Sequence, residues 1–219
     1  MKELMNKIYG KFDDYGSAAA SGVGKKLPFI SSHFSGIEGK ILDAGCGQGH
    51  DTREIAKTNS NVLGIEISDV CCDKYLDDVN HKCTDIITHC AGDVEYEAVL
   101  CNGVIEHLSE DELDDVLKAL GSVSTNVLFG IANHSDTFYG PELHLIQEDV
   151  AWWIKRLETI FDSAIEVTTL YEGRFFFIKC INSPAKLKSA AANRITGLKG
   201  AESEDESKKA KPRVRPKKD

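Results

Sequence analysis

The sequence predicts an α/β domain built on a doubly wound parallel sheet with helices covering both faces. Three observations predict it. Short apolar runs alternate with helically patterned stretches from about residue 39 to 182, as repeated strand–helix units do. A glycine turn, Asp43-Ala-Gly-Cys-Gly-Gln-Gly49, falls where the first of those strands meets its helix. The last two apolar runs flank Tyr171-Glu-Gly-Arg174 instead of a helix, which is the pattern of a β-hairpin.

The elements follow in order. Residues 1–38 are mixed, with Gly, Ala and Ser gathered between Gly16 and Gly24, and are expected to form helices or a lid ahead of the first strand. Ile41-Leu-Asp-Ala44 is that strand. Asp51-Thr-Arg-Glu54 has the spacing of a capping box, with Asp51 as the cap. Val62-Leu-Gly-Ile-Glu-Ile67 is the second strand, and Ser68 is placed to cap the helix after it. A third strand is expected near Cys83–Ile87 and a fourth at Ala98-Val-Leu-Cys101. Ser109-Glu-Asp-Glu112 is another capping box; Leu113, Val116, Leu117 and Leu120 keep helical spacing to Gly121. Asn126–Ala132 is a fifth strand, and Val150, Trp153, Ile154, Leu157 and Phe161 mark one helix face on which the tryptophans pack. Ile165–Leu170 and Phe175–Cys180 complete the hairpin. Residues 183–219 form a charged tail expected to be disordered, certainly past about Leu198.

Composition removes several classes of function. No apolar run approaches the roughly 20 residues needed to span a bilayer, and Met1-Lys-Glu-Leu-Met-Asn-Lys7 lacks the apolar core of a secretory signal, so a cytoplasmic protein with no membrane partner is expected. Seven cysteines, an odd number without a C-x-x-C pair, argue against a disulfide framework. His81 and His89 near Cys83 and Cys90 fit no closed zinc spacing, and no metal site is expected. Ser207–Asp219 holds seven Lys/Arg and one Asp, so the total charge of −9 leaves −15 on residues 1–206. Such a body repels phosphate backbones unless a local patch or the basic tail overcomes it, and the tail could bind nucleic acid or an acidic partner. No residue pattern specifies an oligomeric state.

The chemistry is concentrated at the glycine turn. Gly45, Gly47 and Gly49 let backbone approach a ligand closely and aim a helix N-terminus at it. A dinucleotide fingerprint needs glycine at position 50, which is His50. Glu66 ends the second strand, 21 residues after Gly45, where a carboxylate can accept from both ribose hydroxyls of an adenosine. These segments, together with Asn102-Gly-Val-Ile-Glu-His-Leu108, resemble successive motifs of the class I S-adenosyl-L-methionine (SAM)-dependent methyltransferases over about residues 40–180. The resemblance implies a seven-stranded, Rossmann-like, mostly parallel sheet with an antiparallel C-terminal hairpin strand, and SAM as cofactor. It puts Asp43, Gly45 and Gly47, with Cys46 and Gly49 of the same turn, around the methionine part, and Cys101 and Asn102 near its end. Glu66, followed by Ile67, would hold the ribose. The acidic adenine contact falls to Asp85 with Ile86, 11 residues before Tyr96-Glu97, or else to Asp93 of the Gly92-Asp93 step; Asp85 is preferred.

The acceptor side carries fewer signals. His107 and His134 follow the fourth and fifth strands, whose C-terminal ends face the ligand in such sheets. His144 opens a segment that resembles the H-x-N-x-x-x-x-x-Y-W stretch of some bacterial and phage methyltransferases, with Ile146 in place of Asn and Trp152 in place of Tyr. His144 and His107 are the candidates for substrate contact or general base, against the plainer role of loop or capping histidines. No P-x-Y or N-P-P-Y motif and no Pro-Cys nucleophile follows the fourth strand, which disfavours methylation of nucleic-acid bases. The expectation is therefore a methyltransferase acting on O or N of a small metabolite or sugar. The alternatives are a tail-recruited nucleic-acid or protein methyltransferase and a non-catalytic SAM-binding module.

Overall fold

The computed structural model describes residues 1–17, 23–190 and 192. Seven strands form one sheet in the order β3-β2-β1-β4-β5-β7-β6. They are β1 (Ile41–Ala44), β2 (Val62–Glu66), β3 (His81–Cys83), β4 (Ala98–Asn102), β5 (Asn126–Ala132), β6 (Ser163–Leu170) and β7 (Phe175–Ile181). The first five are parallel, with Ile41 opposite both Val62 and Ala98, while β7 runs antiparallel to β5 and to β6. The chain leaves β1 towards β2 on one side and returns to β4 on the other. That reversal opens the crevice in which sheets of this kind hold ligands.

Helices α1 (Lys2–Lys11) and α2 (Val23–Phe34) precede the sheet. Then follow α3 (His50–Ala56), α4 (Asp69–Tyr75), α5 (Ile86–Cys90), α6 (Glu110–Gly121) and α7 (Val150–Leu157). Alternation along the strands splits the core in two. Leu42, Val99, Cys101, Val127 and Phe129 face α6 and α7, packing on Leu117, Leu120 and the wholly buried Trp153. Their neighbours Ile41, Leu100 and Leu128 face the other way, onto Ile30 and Phe34 of α2 and Ile55 of α3. Burial of both faces is why these strands are near-continuous apolar runs. No helix among the described residues is long and apolar enough to cross a membrane.

Most local signals correspond to structure. Ser68 accepts from the amide of Cys71 and caps α4. Ser109 and Glu112 form the reciprocal capping box of α6. The hairpin turns through Tyr171 and Glu172, both at positive φ, and Gly173. Three expectations need correction. Asp51 is not a cap: α3 starts one residue earlier, behind Gly49 in the left-handed region, and the Asp51 carboxylate instead accepts from Asn102 Nδ2 at 2.5 Å. The third strand covers His81–Cys83 and stops short of Ile87, because Asp85 accepts from the Thr88 amide and starts α5. The tail does not lose structure at 183: residues 184–190 are helical, tied back by Lys186 to Asp162 at 3.0 Å. The basic segment 207–219 lies outside the described residues.

Candidate functional site

The C-terminal ends of β1, β2, β4 and β5 open into one cavity of about 590 Å³, within the size range of small-ligand and cofactor sites. Its floor starts with the glycine turn. Gly45 and Cys46 both donate to the carbonyl of Ile65 at 2.9 Å, which locks the turn onto β2. Gly45 has φ +83°, and a Cβ there would overlap Val104 Cγ2, so both backbone and packing require glycine. The Gly47 amide donates to Glu66 Oε2 at 3.1 Å and the Ser68 amide to Oε1 at 2.9 Å. Glu66 is thereby held at the cavity wall with each oxygen retaining a lone pair. Burial pushes its carboxyl above the usual range, opposed by the Ser68 and Gly47 amides.

Asn102 ends β4 beside this turn. Its Nδ2 is committed to Asp51, and its Oδ1 is buried with no hydrogen-bond partner among the described residues. A Cβ at position 130 would overlap that Oδ1, so Gly130 on β5 makes room for the amide. Asp43 lies beneath the turn, accepting from Thr52 Oγ1 at 2.6 Å; burial first, and then the Asp51 carboxylate, push it up to about 8. Burial likewise raises Asp51, against the Asn102 hydrogen bond.

The N-terminal segment closes the cavity from above. Met5 and Tyr9 of α1 and Met1 just before it, with Tyr15 and Gly16, line it, and Tyr9 and Tyr15 meet edge to face at 5.0 Å. Ile8 and Tyr9 pack on Cys71 of α4 and on Leu143 of the loop before α7, joining the cover to the far wall. Lys26 of α2 reaches the cavity with its ammonium 4.0 Å from the centre of the Phe175 ring. Burial lowers its pKa, while Glu106 and Asp51 act to raise it.

The far wall carries the histidines. His107 Nδ1 bonds the Leu143 carbonyl at 2.9 Å, and His144 Nδ1 bonds the His134 carbonyl at 2.6 Å. A carbonyl only accepts, so each Nδ1 carries its proton and each Nε2 keeps a lone pair. The two rings lie edge to face with centroids 4.9 Å apart. Glu142 holds their loop by accepting from Ser135 Oγ and from the amides of Asp136 and His144. The Ser135 bond first, then the amides, bring its carboxyl down to about 2. Behind the histidines, Glu106 is fully buried: Oε1 accepts from the Ala132 amide at 2.9 Å, and Oε2 has no hydrogen-bond partner among the described residues.

Of the residues singled out in the sequence, Gly45, Cys46, Gly47, Glu66, Ile67, Asp85, Ile86, Asn102, His107 and His144 line this cavity. Asp93 is exposed and away from it. Asp43 and Gly49 support the turn from outside the lining. Cys101 departs from its expected place. Strand alternation turns its side chain into the core, fully buried, and it is not among the residues that line the cavity. The sequence reading missed Tyr9, Tyr15, Lys26, Asp51 and Glu106. Glu106 alone had a signal, since it stands next to His107 in a quoted motif.

A glycine turn after β1, a carboxylate ending β2 and an antiparallel seventh strand together define the methyltransferase variant of the doubly wound fold. Residues 42–126 match the family model described as "Methyltransferase domain". A search of the curated proteins found no match. Solved structures share the fold at low identity. The DhpI complex with S-adenosylhomocysteine (SAH) is 16% identical over 78% of this chain and 90% of its own, with a TM-score of 0.63. A SAM-dependent methyltransferase from Archaeoglobus fulgidus is 17% identical over 80% and 99%, with a TM-score of 0.63. The 1,6-didemethyltoxoflavin-N1-methyltransferase of Burkholderia thailandensis, solved with 1,6-didemethyltoxoflavin and SAH, is 14% identical over 83% and 86%, with a TM-score of 0.59.

Proposed function

We propose that this chain binds SAM in the cavity and transfers its methyl group to an oxygen or nitrogen of a small metabolite or sugar. The observation that carries this reading is the cavity itself. About 590 Å³, covered by α1 and Tyr15, has to hold both the cofactor and its acceptor, which favours a small acceptor over a polymer. The similar Burkholderia enzyme, named as a 1,6-didemethyltoxoflavin-N1-methyltransferase, agrees with such an acceptor.

The residues present suit the cofactor's charges. Glu66 has lone pairs left for two ribose hydroxyls, and Asp85 is the acceptor for the adenine amine. Asn102, whose Oδ1 has no hydrogen-bond partner among the described residues, can accept from the cofactor's ammonium after a side-chain rotation, and Lys26 offers a counter-charge to a carboxylate. Glu66, Asp51 and Glu106 together make the lining favourable to a sulfonium cation. When bound, SAM supplies an activated methyl group, so the protein's work is alignment and proton removal. His107 and His144 face the acceptor side with free Nε2 lone pairs; they orient a hydroxyl or amine and can take its proton.

The test is incubation of the protein with methyl-labelled SAM and a cell extract, followed by mass spectrometry of separated small-molecule and polymer fractions. Label confined to small molecules, and unchanged on deleting residues 199–219, is the expected outcome. Label on protein or nucleic acid that disappears with the tail would overturn the acceptor class. No label in either fraction, with SAM bound, would point to a non-catalytic binding module.

A further inference from the structure

Glu106, His107 and His144 do more than line a wall. One ring nitrogen from each histidine and one carboxylate oxygen of Glu106 lie within 4.8 Å of one another. Donors about 2.0–2.2 Å from a shared metal ion stand roughly 3.3–3.6 Å apart, so small side-chain movements close the set. The surroundings are those of ligands. Both imidazoles donate Nδ1–H to backbone carbonyls, the second contact that fixes metal-binding histidines in one tautomer and orientation. Glu106 offers an oxygen that is fully buried and unpartnered among the described residues. Leaving a buried carboxylate oxygen unpaired is destabilising, a cost that a bound cation reverses.

We propose that these three residues form a site for one divalent first-row transition ion, with its open coordination positions facing the cavity. Two imidazoles and a carboxylate suit Zn²⁺, Mn²⁺, Fe²⁺ or Co²⁺; the set holds no thiolate to favour a softer ion. All three residues border the cavity on the acceptor side, so the open position takes an oxygen of the acceptor. That last step rests on the methyltransferase reading; the metal site itself stands on geometry alone. A hydroxyl bound there gives up its proton to water at lower pH. Its oxygen pair then forms the O–CH₃ bond as the CH₃–S bond breaks, and the electron pair of that bond stays on sulfur to give SAH. With that ion bound the histidines serve as its ligands, and the ion takes over the activation of the hydroxyl that they would otherwise supply as bases.

The test uses the full chain stripped with EDTA and titrated with Co²⁺ alone, followed by visible absorption, with Zn²⁺ stoichiometry read by elemental analysis after dialysis. One equivalent of Co²⁺ with d–d bands, displaced by Zn²⁺, is expected. Glu106→Gln keeps the shape and an acceptor for the Ala132 amide, and His144→Ala removes one ligand; each should weaken Co²⁺ binding at least 10-fold. SAH calorimetry and circular dichroism on both variants verify that the fold persists. Absence of stoichiometric uptake by the unmodified chain overturns the site, as does equal uptake by folded Glu106→Gln and His144→Ala. Since Co²⁺ is read without SAM, a failed metal site and a failed methyltransferase reading give different results.

Discussion

The two walls of the cavity are built by different means. The wall we assign to the methyl donor, formed by the turn after β1 and the end of β2, is held by backbone amides: those of Gly45 and Cys46 donate to the Ile65 carbonyl, and those of Gly47 and Ser68 to the Glu66 carboxylate. The wall we assign to the acceptor is held by side chains that reach across sequence. His107 meets Leu143, His144 meets His134, and Glu142 ties the loop between them. A wall made of backbone geometry demands particular residues at fixed spacing, so it leaves a motif. A wall made of long-range side-chain contacts leaves only scattered histidines.

Substitutions can break that contrast, and the largest effect belongs to the turn. Gly45→Val adds a branched side chain at positive φ against Val104, and is expected to abolish SAM binding in calorimetry, a loss above roughly 100-fold. Trp153→Ala empties the core behind the acceptor wall and should cost about 3–5 kcal/mol in denaturant unfolding, while SAM affinity of the folded fraction stays within a factor of a few. Glu66→Ala removes the proposed ribose acceptor and the anchor of two amides, for about 1.5–3 kcal/mol, or roughly 10- to 150-fold in the dissociation constant for SAM. Tyr9→Phe deletes one hydroxyl from the cover, and a change of under about 10-fold is expected.

A pH series sharpens the same comparison. The buried Asp43 carboxyl is raised to about 8, whereas in the unfolded chain it titrates near 4. Below about pH 4 both states are protonated and Asp43 adds no pH dependence. Between about 4 and 8 the unfolded state ionises while the folded state keeps its proton, so stability falls as pH rises, and levels off above 8. Asp43→Asn should flatten that part of the curve in urea unfolding. An unchanged slope would assign it to other groups, such as Glu66, whose raised pKa acts with the same sign.

The fold was legible where local pattern and burial coincide. Asn126–Ala132 is a strand at the bounds its apolar run suggests, because both its faces are covered. Ser109 and Glu112 cap α6 through contacts three residues apart, within reach of a local rule. Asp51 defeats the same rule. Asp-x-x-Glu spacing does not distinguish a cap from a carboxylate that pairs with Asn102, 51 residues away. Cys101 shows a related failure, since the position follows from the motif but strand alternation decides which way the thiol points. Tyr9 and Lys26 come from helices outside any motif, and only the fold brings them over the cavity.

Calorimetric titration of the chain and of Gly45→Val with SAM, SAH and NAD tests the donor wall most directly. The unmodified chain should bind SAM and SAH but not NAD, and folded Gly45→Val should bind none of them. Binding of NAD in place of SAM, or SAM affinity unchanged by the valine, would contradict a SAM site built on the Asp43–Gly49 turn.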